Sequence, residues 1–86
     1  MPMKLITSVK ELDTSKLRMP AIVVYEHPKD YPQYYVARVF DADKPTDTIM
    51  LKDRLSEIQD DIKENADMIF FLRGAADDPC MVGAWM

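Results

Sequence analysis

Glycine, cysteine and histidine are nearly missing from this 86-residue chain, which has two glycines, one cysteine and one histidine. A glycine-rich phosphate loop cannot be built from Gly74 and Gly83 alone. Cys80 has no partner for an intramolecular disulfide, and with His27 it leaves too few soft ligands for a zinc or iron-sulfur centre. No apolar run exceeds five residues, against the roughly 18 that span a bilayer. Met1 to Lys10 has no basic stretch leading into a long apolar one, so no secretory leader is read there and the cytoplasm is the expected compartment.

What is present is the composition of a folded domain, 48% hydrophobic and 30% charged. The length suits one small domain with a thin core, for which self-association adds buried area. The net charge is −4, and the excess acid lies after residue 40, where eleven acidic residues face five basic ones. That sign disfavours nucleic acid and makes the second half an acidic surface able to steer a basic protein partner.

The patterning after residue 20 is that of alternating strands and one helix. Ala21–Tyr25 is a β-branched run read as a strand. His27-Pro28-Lys29-Asp30-Tyr31-Pro32 is a turn. Over residues 33–41, alternation puts Tyr35, Ala37 and Val39 on one face and Tyr34, Val36, Arg38 and Phe40 on the other. A third strand over Thr46–Leu51 completes an antiparallel meander. Asp53 is placed to cap a helix whose apolar stripe is Leu51, Leu55, Ile58 and Ile62, ending near Asn65, with Glu57, Asp60, Asp61 and Glu64 on its outer faces. Met68–Leu72, apolar on both faces, is read as an interior strand, and Cys80–Met86 as the last one.

The expected fold is therefore α+β, with order β-β-β-α-β-β in one sheet and the helix on one face. Residues 20–86 form the domain and residues 1–19 an N-terminal appendage. Within the appendage, Ser8 and Glu11 have capping-box spacing ahead of a short helix over residues 9–17. Two strands apolar on both faces leave one sheet face to be covered by the appendage or by a second subunit, so a homodimer is expected.

Candidate chemistry is sparse. His27, Asp30 and the adjacent pair Asp77-Asp78 could serve a small hydrolase or metal-dependent enzyme if both loops met in one pocket. Asp41, Asp43 and Asp47 have the first spacings of a calcium loop, but Thr46 stands where glycine is needed and Lys52 where a bidentate carboxylate is needed. Arg38 and Arg73 beside the aromatic residues would make at most a weak nucleic-acid binder. No catalytic residue, metal site or cofactor is assigned. His27, Asp30, Arg38, Asp77 and Asp78 remain as binding candidates, and a non-catalytic interaction or regulatory domain is the leading reading.

Two resemblances bear on that reading. Tyr34-Tyr35-Val36-Ala37-Arg38-Val39-Phe40-Asp41, the turn, the short strand and Leu55-Ser56-Glu57-Ile58 on a helix resemble the core of HicB-type antitoxins over roughly residues 20–73. This resemblance implies a regulatory, antitoxin-like role; no DNA-binding segment follows, so operator binding does not carry over. The residues His27-Pro28-Lys29-Asp30-Tyr31-Pro32, Tyr35-Val36-Ala37-Arg38, Lys44-Pro45-Thr46, Asp77-Asp78-Pro79 and Trp85 look like those of a family of small uncharacterised bacterial proteins. That likeness implies a small cytoplasmic protein and brings no activity with it.

Overall fold

A computed structural model of the chain describes residues 4–12, 17–42, 44–72 and 79–86. It is an α+β fold of one six-stranded mixed sheet and a single α-helix. The strands are β1 (Lys4–Ile6), β2 (Pro20–Glu26), β3 (Tyr35–Asp41), β4 (Lys44–Lys52), β5 (Phe70–Leu72) and β6 (Met81–Trp85), and the helix α1 (Leu55–Asn65) joins β4 to β5. In the sheet they lie in the order β1-β4-β3-β2-β6-β5. β1 runs parallel to β4, and every other pairing is antiparallel.

The meander β2-β3-β4 is as the alternation predicts. Register opposes Ile22 to Val39, Val24 to Ala37 and Ala37 to Met50, while Ile22 also lies opposite Trp85. These residues form the core together with Ile6, Val9 and the helix residues Ile58 and Ile62, both fully buried. At about 25 cal/mol per Å² of apolar surface removed from water, each buried aliphatic side chain stabilises by about 1.5–3 kcal/mol. The helix starts one residue later than the sequence suggests: Arg54 is extended, and its amide donates to the Glu57 carboxylate at 3.2 Å. Leu51 is not part of its stripe. It belongs to β4, opposite Val36, and so lies on the far face of the sheet.

Three expectations are corrected here. The N-terminal helix expected over residues 9–17 is only a 3-10 turn, Val9–Glu11. Lys4–Ile6 enters the sheet instead, and Ile6 and Val9 pack under α1 on the helix side. Asp61, expected on an outer face of α1, holds the segment there: it accepts from Ser8 Oγ at 2.7 Å and from the Val9 amide at 2.8 Å. Thirdly, β5 is an edge strand rather than an interior one, because β6 inserts between it and β2.

The capping box at residues 8–11 is present. The Glu11 carboxylate accepts from the Thr7 amide and hydroxyl, each at 2.7 Å, and from the Ser8 amide at 3.1 Å. These donors, the Thr7 hydroxyl first, hold the Glu11 carboxyl below its ordinary value of 4.5. A carboxyl lowered in the folded state stabilises above its unfolded value, and this contribution is lost as pH falls through the folded value. We therefore expect the Glu11 side-chain carbonyl, followed by NMR, to titrate below the ordinary range. The Thr7 and Ser8 amides should shift with the same midpoint, and Glu11→Gln should abolish that step. A Glu11 midpoint at or above the ordinary value would contradict the hydrogen-bonded turn.

Candidate functional site

The face of the sheet turned away from α1 carries a groove and an apolar patch. Register places Leu5, Ile49 and Leu51, then Val36, Arg38 and Phe40, then Ala21, Val23 and Tyr25, then Ala84 and Phe71 on this side. Among the described residues no helix lies over it. Val36, Ile49, Ala21 and Ala84 are nonetheless buried.

At one end of this face the loop of residues 27–34 closes the β2–β3 hairpin. His27 holds φ 47°, a left-handed conformation uncommon for a residue with a Cβ. The His27 amide donates to the Tyr34 carbonyl at 3.1 Å, Tyr31 to Pro28 at 3.0 Å and Tyr34 to Tyr31 at 3.2 Å. Pro28 is buried. The loop is thus folded on itself and against the sheet. Between it and the strands lies an open groove of about 430 Å³, lined by Tyr25, Pro28, Lys29, Asp30, Arg38 and Cys80.

The same loop separates two residues that the sequence invites one to pair. The His27 imidazole packs on the Tyr35 ring, centroids 5.0 Å apart, and Tyr35 lies on the helix side of the sheet, its hydroxyl donating to Glu26 Oε1 at 3.4 Å. Asp30 turns to the opposite side and forms an ion pair with Arg38. A His27–Asp30 acid-base pair is therefore not assembled. Asp77, Asp78 and Arg73 lie outside the described residues, as does Asp43. Asp41 has a structural task instead of a calcium-binding one: its carboxylate accepts from the Arg18 and Met19 amides at 3.0 and 2.9 Å and directs the chain into β2. Among the described residues no three histidine, cysteine or carboxylate side chains come together as a metal cluster. No described helix is long and apolar enough to cross a membrane.

At the other end of the face lies a patch that sequence reasoning missed. Ile69 and Met86 exchange backbone hydrogen bonds at 2.9 and 3.0 Å, extending the β5–β6 pairing. Ile69, Phe71 and Met86 are respectively 68%, 51% and 59% exposed. Met19, 66% exposed, adjoins Met86 across Ala21, while Leu72, 79% exposed at the end of β5, lies on the helix side opposite Gly83. None of these side chains is charged. A run of hydrophobic letters cannot disclose this, because the letters read the same at a sheet edge as in its middle.

No family model, curated protein or solved structure matches this chain.

Proposed function

We propose that the chain is a non-catalytic protein-interaction domain that works as a homodimer, with a regulatory, antitoxin-like role. The observation that carries this reading is the uncharged exposed patch of Met19, Ile69, Phe71 and Met86 beside the β5 edge. Edge strands that stay single are usually guarded by charges or proline; Phe70-Phe71-Leu72 has neither. Contiguous apolar surface of this kind marks an association site.

The occupant is a second copy of the chain. A two-fold axis beside an edge strand pairs that strand antiparallel with itself and sets each patch against its twin. With no charge in the patch, this contact brings no like charges together. A basic partner would find nothing there to read, since Glu57 and Glu64 belong to α1, on the other side of the sheet. The resemblance to HicB-type antitoxins supports a regulatory role for such a dimer.

Light scattering behind size exclusion tests the proposal. The wild type is expected at twice the 9.9 kDa chain mass, and Phe71→Lys should raise the dissociation constant by at least about thirtyfold, as for loss of an interface hot spot, with the far-UV circular dichroism unchanged. A wild type that stays monomeric at millimolar concentration would overturn it.

A further inference from the structure

The groove at the hairpin end of the sheet is separate from the dimer patch, at the far end of β2, and its chemistry does not depend on self-association. Arg38 stands on the central strand β3 between Val23 and Ile49, the one charged residue in the described apolar field of that face. Its side chain is only 26% exposed. A guanidinium held there loses hydration, and a planar five-donor fork is suited to carboxylate recognition. Asp30, half exposed on the loop, meets a single terminal nitrogen, Nη2. Among the described residues no other acceptor reaches the fork, and Lys29 on the groove rim has no partner. Among the described residues two cations therefore line the groove against one carboxylate, in a chain whose net charge is −4.

We propose that this groove binds a small organic carboxylate with an apolar body. Arg38 anchors the carboxylate, Lys29 supplies the second positive charge, and the Tyr25 ring, Pro28 and Cys80 form the apolar wall. Asp30 is the internal occupant that the ligand's carboxylate displaces from Arg38. The groove's volume lies within the roughly 300–1,000 Å³ of small-molecule sites. A carboxylate is favoured over a phosphate because the fold already seats a carboxylate on this arginine.

Amide chemical-shift titrations of the full chain test this, with benzoate as probe and acetate, inorganic phosphate and benzylamine as comparisons. Benzoate is expected to shift the Tyr25, Arg38 and Cys80 amides saturably, acetate more weakly and benzylamine not at all. Asp30→Asn, which removes the competing charge, should tighten benzoate binding several-fold. Arg38→Gln and Arg38→Lys should each weaken it by about tenfold or more, the loss of a charge-assisted pair. Arg38→Lys keeps the charge and so separates the fork from simple attraction. The proposal is overturned if Asp30→Asn shows no saturable benzoate shift, if phosphate binds as tightly as benzoate, or if the Arg38 variants bind unchanged while their remaining spectra stay native.

Discussion

Trp85→Ala should lower the melting temperature by more than about 12 °C. Trp85 is 3% exposed, opposite Ile22, with its ring 5.2 Å from that of Phe70, and its Nε1 donates to Gln59 Oε1 at 2.9 Å. Truncating a buried tryptophan costs about 3–5 kcal/mol through lost transfer energy and the cavity left behind. In a domain of this size each kcal/mol is worth about 4–8 °C. Total stabilities of small domains are about 5–15 kcal/mol, so the loss would be a large fraction of what holds the fold. The effect is large because this one side chain joins β6, β5 and α1. Trp85→Phe should recover most of the packing but not the bond to Gln59. Thermal unfolding followed by circular dichroism measures both, and a Trp85→Ala shift below about 5 °C would show that the ring is not a core element.

Gly83→Ala is the second large effect expected. A Cβ at residue 83 would press into the carbonyl oxygen of Phe71 and come within 2.5 Å of the Phe70 ring at Cζ. The ring can swing aside, but the carbonyl belongs to the backbone of β5, paired with β6 through Leu72 and Gly83. Overpacking of this kind costs about 1–3 kcal/mol, and it should be relieved by parting β5 from β6. The expected signature is faster amide exchange at Ile69 to Leu72 than elsewhere in the sheet, with a lower melting temperature. A detached β5 also disrupts the dimer patch, so the variant should shift toward monomer. Unchanged exchange in β5 would mean that the sheet tolerates a side chain there.

Much of the architecture could be read in advance from particular residues. Ala37 and Val39 share one face of β3, and Ile58 and Ile62 one stripe of α1, as their spacing indicates, and both pairs lie in the core. Arg38 stood out from the letters as the one charged break in the middle of β3, and it is the residue on which the groove turns. Other features could not be read. β1 and β5 have three residues each, too few to show a period. Asp61 looked like one more solvated acid on an acidic helix, and nothing local said that Ser8 and Val9 would come to it. His27 and Asp30 are three residues apart in a loop, yet they serve opposite faces of the sheet because the chain turns through a positive φ at His27.

The division follows from the range of the forces concerned. Side-chain alternation along a strand and the 3.6-residue repeat of a helix are set by backbone geometry within a few residues, so the sequence by itself determined which residues of β3 share a face and which stripe of α1 is buried. Strand order, the insertion of β6 beside β2, and the exposure of Ile69 and Phe71 depend on pairings between segments far apart in the chain. Only the closed tertiary structure decided those, because a strand's hydrogen bonds can be satisfied by any neighbour of suitable register until the whole sheet competes for them.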